Sequence, residues 1–147
     1  MEGSMSILLI EDNKHDQYFF SQAVNKIANV TLYDIAKNGR DALDKLSESD
    51  SLPDMIFSDI NMPVMDGIEC LSQIIKTPRI KDIPVIILSS VISKTELLCE
   101  MGAKVFIEKP NNCILLQKLI EHVIKMDFEG IGCMDQTIQT KPYNHLM

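Results

Sequence analysis

A chain of 147 residues is about one domain long. Its hydrophobic content of 46% and charged content of 24% are typical of a globular protein. The formal net charge of -7 argues against a nucleic-acid surface, because phosphate binding requires clustered Lys and Arg. No apolar run approaches the roughly 18–20 residues that cross a bilayer, and the polar start MEGSMS differs from a signal peptide. We therefore expect a cytoplasmic protein that contacts neither membrane nor nucleic acid.

Short apolar runs alternate along the chain with longer segments of helical period. The five candidate strands are Ile7–Ile10, Val30–Ile35, Met55–Phe57, Val85–Leu88 and Val105–Ile107. After each of them, hydrophobic residues recur at the three- and four-residue spacing that is typical of an amphipathic helix. These helical patterns run over Phe19–Ile27, Ala42–Leu46, Ile68–Ile75, Leu97–Met101 and Ile114–Ile124.

This alternation, with near-continuous apolar strands, predicts an α/β fold whose parallel sheet is covered by helices on both faces. Right-handed crossovers leave few topologies, and the doubly wound flavodoxin-like strand order 2-1-3-4-5 is one of the two common ones. We predict one domain over residues 5–127. Residues 128–147 show no hydrophobic period and are predicted to form a flexible or loosely docked C-terminal tail. Residues 1–4 are interpreted as an expression remnant.

Polar residues follow four of the candidate strands at the point where each strand ends. In an open parallel sheet, binding sites form beyond these carboxyl ends. The polar residues there are, in chain order, Glu11, Asp12, Asp59, Ser89, Ser90, Glu108 and Lys109. The three carboxylates of the first and third strands would repel one another in a common crevice unless a cation neutralised them. We therefore predict a hard divalent ion there, with Lys109 as a further positive charge.

Mg²⁺ fits this oxygen-rich set better than Ca²⁺, which prefers a larger cage, or Zn²⁺, which prefers His and Cys ligands. A carboxylate beside such an ion can attack a phosphoryl group and form an acyl phosphate. The ion and Lys109 would neutralise the charge that develops on the phosphoryl oxygens, and the hydroxyl of Ser89 could donate a hydrogen bond to one of them.

Each of these features alone has a simpler explanation. Glu11–Asp12 can be a turn or a helix N-cap, Ser89–Ser90 can be a helix start, and Lys109–Pro110 can be an ordinary loop. The functional interpretation depends on their coincidence, because the ends of successive candidate strands carry one complementary set of charges.

The segment Pro53–Gly67, which reads PDMIFSDINMPVMDG, resembles the phosphoacceptor motif of the receiver domain of response regulators. Its D-x-x-M-P-x-M-D-G core is highly specific. Ile86–Ser90 resembles the fourth-strand motif of this family, and Gly102–Pro110 resembles its fifth-strand motif. The resemblance covers Ile7–Lys125 and implies the flavodoxin-like order 2-1-3-4-5.

The start IEDN at residues 10–13, followed by Asp16, is most similar to small single-domain regulators of two-component signalling, including some that are paired with hybrid kinases or phytochromes. The resemblance also implies a role for each matching residue. Asp59 would be the phosphoacceptor, Ser89 would hold one phosphoryl oxygen, and Lys109 would pair with another. The ligands of Mg²⁺, or of Mn²⁺ in its place, would be Glu11, Asp12, Asp59 and the backbone carbonyl of Asn61.

Phe106 would be the switch aromatic of the family, turning inward as Ser89 moves toward the phosphoryl group. A cis Lys109–Pro110 peptide bond is also implied. The phosphoryl donor would be a sensor histidine kinase or a histidine phosphotransfer protein. The output would be a protein contact or onward phosphotransfer through the face of the fourth helix, fifth strand and fifth helix. Separately, the strongly apolar last helix is compatible with a homodimer through that face. Beyond self-phosphorylation and self-dephosphorylation, no enzyme activity is expected.

Three other functions compete with this interpretation. A haloacid-dehalogenase-type phosphatase would carry D-x-D on the first strand, whereas Asp59 follows the third. A flavin or nucleotide binder would need a Gly-rich or Ser/Thr-rich first loop, and the acidic loop here repels anions. A receiver-like scaffold that binds partners independently of phosphorylation is the remaining alternative, and the full set of charged residues argues against it.

Val91 stands at a position that tunes dephosphorylation in this family, as does Asn61. A valine side chain cannot orient an attacking water, so we predict that the phosphoryl group persists longer than in members with an acid or amide there. The measurement is the acyl phosphate lifetime of wild type and Val91→Glu. A wild-type half-life of seconds that Val91→Glu leaves unchanged would contradict the prediction.

Overall fold

Five strand–helix units follow one another in the computed structural model, which describes residues 3–90, 94–128 and 137–138. The strands are β1 Met5–Ile10, β2 Val30–Ala36, β3 Met55–Ser58, β4 Val85–Ser89, β5 Val105–Glu108 and β6 Thr137–Ile138. The helices are α1 Lys14–Asn25, α2 Gly39–Glu48, α3 Gly67–Lys76, α4 Thr95–Glu100 and α5 Cys113–Ile124. No described helix is both long and apolar enough to cross a membrane.

All strands are parallel, and the sheet has the order β2-β1-β3-β4-β5-β6. The predicted order 2-1-3-4-5 of the first five strands is therefore confirmed. β1 and β3 are neighbours inside the sheet, and their register pairs Ile10 with Ser58. Because both strands end at this level, the residues that follow them, Glu11 and Asp59, leave the sheet side by side.

Hydrophobic side chains alternate between the two faces of the sheet, as expected for buried strands. Ile7 and Leu9 of β1 join a core with residues of α1 and α5, whereas Leu8 and Ile10 join a second core with residues of α2, α3 and α4. Phe20 of α1 packs against Phe57 of β3 with ring centroids 5.2 Å apart. The sheet is thus covered on both faces and supports the residues that follow the carboxyl ends of its strands.

Four of the five helices begin at an Asn or Asp whose side chain accepts a hydrogen bond from the backbone of the first turn. These N-cap residues are Asn13, Asn38, Asp66 and Asn112. The exception is α4, which follows Lys94 in a left-handed conformation at φ 58° and has no side-chain cap. The starts of the other four helices are therefore set by their local sequence, including the start of α1 next to Glu11 and Asp12.

The sixth strand was not predicted. Thr137 and Ile138 add to the edge of β5 in parallel, with Thr137 paired to Phe106 and Ile138 paired to Ile107. The rest of the predicted tail from residue 129 onward lies outside the described residues, as do residues 1–2. The domain bounds of 5–127 stay a prediction.

One peptide-bond expectation is wrong. The described residues contain no cis peptide bond, so Lys109–Pro110 is trans. The two isomers of an X–Pro bond differ by only about 0.5–1 kcal/mol, and the sequence alone does not fix which one the surroundings select.

The cysteines differ in state. Cys70 and Cys113 are free thiols, whereas Cys99 is disulfide-bonded. Burial between α2 and α3 raises the pKa of the Cys70 thiol to about 12, which keeps this thiol protonated and unreactive at neutral pH.

Candidate functional site

The site is built by two neighbouring strands that end at the same level. The backbone N–H of Asp59 donates to the carbonyl of Ile10 at 3.0 Å, which continues the β1–β3 ladder by one residue. Glu11 and Asp59 are buried and Asp12 is exposed. Ligand atoms of these three carboxylates all lie within 4.8 Å of one another, so the predicted acidic cluster is present in the structure.

Lys109 closes the cluster from the opposite side. Its backbone N–H donates to the carbonyl of Ser89 at 2.8 Å, which fixes the residue at the end of β5. Its ammonium Nζ lies 2.6 Å from Glu11 Oε1 and 3.0 Å from Asp59 Oδ2. The lysine side chain is only 14% exposed, so these pairs lie in a region where water screens charge weakly.

Asp16 is a third partner of this ammonium, with its Oδ2 2.9 Å from Lys109 Nζ. Sequence reasoning used Asp16 only as a mark of the subfamily and gave it no role. Asn13 caps α1 by accepting from the backbone N–H of Asp16 at 2.9 Å, so the first turn of α1 begins directly above the end of β1. The sequence signal for this contact was the N-cap residue Asn13, because a helix that begins there places Asp16 in its first turn, at the same edge of the sheet as Glu11 and Asp12.

Burial and neighbouring charges shift the pKa of each of Glu11 and Lys109 in opposite directions. Burial raises the pKa of Glu11 to about 7, although Lys109 partly offsets the rise. For Lys109, burial alone lowers the pKa, but hydrogen bonds to Glu11 and Asp16 outweigh it and raise the pKa above its ordinary value. The ammonium therefore stays charged, while the carboxylates around it exceed the charge that it can neutralise. This imbalance favours a bound cation.

The loop after Asp59 holds this carboxylate in place. Asp59 Oδ1 accepts from the backbone N–H of Ile60 at 2.7 Å, and the backbone N–H of Gly67 donates to the carbonyl of Ile60 at 2.7 Å. A Cβ atom on Gly67 would lie 2.1 Å from the Asp59 carbonyl oxygen, which is a steric clash. Only glycine, which has no Cβ atom, fits at this position without a shift of the backbone. The first residue of α3 is thereby pressed against the backbone of Asp59.

A strained turn lies within the same loop. Val64 has φ 70°, and the backbone N–H of Met65 donates to the carbonyl of Pro63 at 2.7 Å, which makes a three-residue γ-turn. Positive φ is unfavourable for a β-branched residue. Val64 is 81% exposed, so the turn presents an apolar residue to solvent five residues after Asp59.

The other predicted residues take the following places. Ser89 is buried at the end of β4, where it pairs with Glu108 of β5, next to Lys109. Phe106 of β5 is fully buried in the core with α2, α3 and α4, which is an inward orientation. Asn61 is exposed, two residues after Asp59, and its carbonyl ligand role stays a prediction. Val91 lies outside the described residues.

Comparisons with known proteins agree with this geometry. The family model of the response regulator receiver domain matches residues 7–121. The chain therefore belongs to the receiver domain family of two-component systems. The sensor histidine kinase CheAY of Helicobacter pylori is 31% identical over 123 residues, which are 82% of this chain and 15% of that protein. A protein-glutamate methylesterase/protein-glutamine glutaminase of Syntrophomonas wolfei is 33% identical over 117 residues, which are 77% of this chain and 32% of that protein. The chain thus spans less than a third of either relative.

Solved structures are similar over nearly their whole length. The phosphorylated cyanobacterial phytochrome response regulator RcpA has a TM-score of 0.73 at 27% identity, with 82% of this chain and 91% of that chain covered. The Mn²⁺-bound response regulator Rcp1 has a TM-score of 0.70 at 25% identity, with 86% and 96% covered. A chain of the CheX–CheY–BeF3–Mg complex of Borrelia burgdorferi has a TM-score of 0.72 at 27% identity, with 83% and 90% covered.

The contact between Gly67 and Asp59 predicts the cost of a substitution. Gly67→Ala should lower the free energy of unfolding by about 2–3 kcal/mol, because the added methyl group overlaps backbone that cannot move without displacing Asp59. Gly3→Ala is the matched control, since nothing lies within 4 Å of a Cβ atom at that position. Urea unfolding of both variants measures the difference. Equal stability of the two variants would show that this close approach is absent in solution.

Proposed function

We propose that the protein is a phosphorylation-activated receiver that accepts a phosphoryl group on Asp59 from a histidine kinase or a histidine phosphotransfer protein. The observation that carries the proposal is the placement of three carboxylates within 4.8 Å of one another, with Lys109 Nζ 3.0 Å from Asp59 Oδ2. The Asp59 carboxylate thus contacts the Lys109 ammonium and lies at the edge of the sheet where the parallel strands end.

The donor set fits Mg²⁺, with Mn²⁺ as the alternative. All three side-chain donors are carboxylates, which suit a hard ion that retains several waters. Glu11, Asp12, Asp59 and the carbonyl of Asn61 would hold the ion, which when bound supplies neutralisation of charge on phosphoryl oxygens. Two of the structural relatives support this assignment, because one contains Mn²⁺ and another contains Mg²⁺ with BeF3.

The protein groups perform the transfer by position and charge. An oxygen of Asp59 attacks phosphorus, the bond from phosphorus to the donor nitrogen breaks, and the electron pair of that bond leaves with the donor imidazole. Ile60 N–H holds Asp59 Oδ1 at 2.7 Å, which limits rotation of the carboxylate. Lys109 lies close enough to Asp59 to pair with a phosphoryl oxygen, and the hydroxyl of Ser89 would hold another.

The proposed output involves Ser89 and Phe106. Ser89 ends β4, and Phe106 of the adjacent β5 pairs with Ile87, two residues before Ser89. A movement of Ser89 toward the phosphoryl group would be accompanied by an inward turn of Phe106. Phosphorylation would bias the face formed by α4, β5 and α5 toward a state that binds a downstream protein, passes on the phosphoryl group or forms a homodimer. No catalytic role beyond self-phosphorylation and self-dephosphorylation is proposed, and the protein would act in the cytoplasm.

A first experiment is incubation with Mg²⁺ and phosphoramidate, followed by intact-mass measurement. The wild-type chain should gain one phosphoryl group and Asp59→Asn should gain none, because an amide oxygen is a poor nucleophile. Absence of the gain in the wild type, with Mg²⁺ binding intact, would favour the alternative of a scaffold that acts independently of phosphorylation.

A second experiment measures Mg²⁺ affinity by titration calorimetry. Asp12→Asn should weaken binding by about tenfold or more, since loss of a direct ligand costs at least as much as loss of an outer-shell partner. Asp44→Asn removes the same charge from α2, where Asp44 is 57% exposed beside Arg40, and should leave the affinity unchanged. Equal affinities of the two variants would place the ion elsewhere.

A further inference from the structure

We propose that Asp16 is a positioning residue that holds the Lys109 ammonium in place when a cation and the phosphoryl group occupy the site. The inference rests on the proposed function, because the reaction in which Lys109 takes part is phosphorylation of Asp59. It assigns a role to a residue outside the acidic cluster of Glu11, Asp12 and Asp59.

The hydrogen bonds of Lys109 show why such a residue is needed. An ammonium group has three N–H donors, and three carboxylates lie within bonding distance of Nζ. These are Glu11 at 2.6 Å, Asp16 at 2.9 Å and Asp59 at 3.0 Å. Glu11 and Asp59 also belong to the group that could bind a cation, whereas Asp16 does not. A bound ion would use oxygens of Glu11 and Asp59 that also contact Lys109, whereas the oxygens of Asp16 would stay available to Lys109.

Asp16 is itself held by α1. Its backbone N–H donates to the Asn13 cap at 2.9 Å, and Phe20, one turn further along the helix, is buried against Phe57. The second carboxylate oxygen of Asp16, Oδ1, lies 3.8 Å from Nδ1 of the exposed His15, so the carboxylate bridges the site and the surface. The helix thus holds Oδ2 at 2.9 Å from Lys109 Nζ.

This arrangement has a consequence for the transfer. When a doubly charged phosphoryl group replaces a singly charged carboxylate, the attraction on Lys109 toward Asp59 increases. An anchor on α1 restrains the long lysine side chain, so that one N–H stays directed at Asp16 while another reaches the phosphoryl oxygen. Pre-positioning of this kind lowers the barrier because the side chain need not be ordered during the reaction.

The test compares phosphorylation rate constants with phosphoramidate at saturating Mg²⁺ in wild type, Asp16→Ala, Asp16→Asn and Asp44→Asn. We expect Asp16→Ala to reduce the rate constant by about tenfold, as for loss of one charge-assisted hydrogen bond, and Asp16→Asn to reduce it less. Asp44→Asn removes an equal charge from an exposed position on α2 and should match the wild type. The Mg²⁺ affinity of Asp16→Ala should change by less than about twofold, because Asp16 is not a ligand.

A double-variant comparison separates positioning from a merely structural effect. In a Lys109→Ala background, Asp16→Ala should cause no further reduction in rate, because its effect passes through the lysine. A second measurement is the NMR signal of the Lys109 ammonium protons in Mg²⁺-saturated protein, which should be visible in the wild type and lost in Asp16→Ala.

Three outcomes would overturn the inference. They are an Asp16→Ala rate equal to that of Asp44→Asn, a full additional loss in the Lys109→Ala background, and an ammonium signal unchanged by Asp16→Ala. If Asp16→Ala does not fold, the same comparisons apply to Asp16→Asn. Failure of the wild type itself to gain a phosphoryl group would instead contradict the proposed function, so the two failures are distinguishable.

Discussion

A single ammonium group joins the three parts of the chain that make the site. Lys109, at the end of β5, contacts Glu11 after β1, Asp16 on α1 and Asp59 after β3, at 2.6 to 3.0 Å. Without this contact, buried carboxylates would face one another across a few ångströms, and their repulsion would oppose the close approach of the strands. With it, the cluster still carries excess negative charge. The fold therefore tolerates the cluster and leaves it suited to a divalent cation.

The rest of the structure keeps these groups at their distances. β1 and β3 are adjacent and in register, so Glu11 and Asp59 leave the sheet together. The absence of a side chain at Gly67 lets α3 begin against the backbone of Asp59. The hydrogen bond from the backbone of Lys109 to Ser89 links the ends of β4 and β5. Two hydrophobic cores, one on each face of the sheet, pack against the strands that carry this edge.

Most of the architecture could be predicted from the sequence, because strand periodicity and polar residues at strand ends are local signals. The five parallel strands and the meeting of Glu11, Asp12 and Asp59 followed from them, whereas the strand order followed from the family resemblance, because the local pattern left two common topologies open. Features that depend on tertiary contacts could not be predicted. The cap at Asn13 is a local signal that places Asp16 in the first turn of α1, but the contact of Asp16 with Lys109 is made between distant parts of the chain. The pairing of β6 with β5 depends on two residues without a hydrophobic pattern. The isomer of the Lys109–Pro110 bond and the disulfide of Cys99 likewise depend on surroundings rather than on local sequence.

The most direct measurement of the central electrostatic claim is urea unfolding of Lys109→Met and wild type, each in EDTA and in saturating Mg²⁺. The account predicts that the variant loses about 2–4 kcal/mol in EDTA, as for removal of one partner from a buried ion pair, and that Mg²⁺ restores the larger part of the loss. Equal stability of variant and wild type in EDTA, with no effect of Mg²⁺ on either protein, would contradict it.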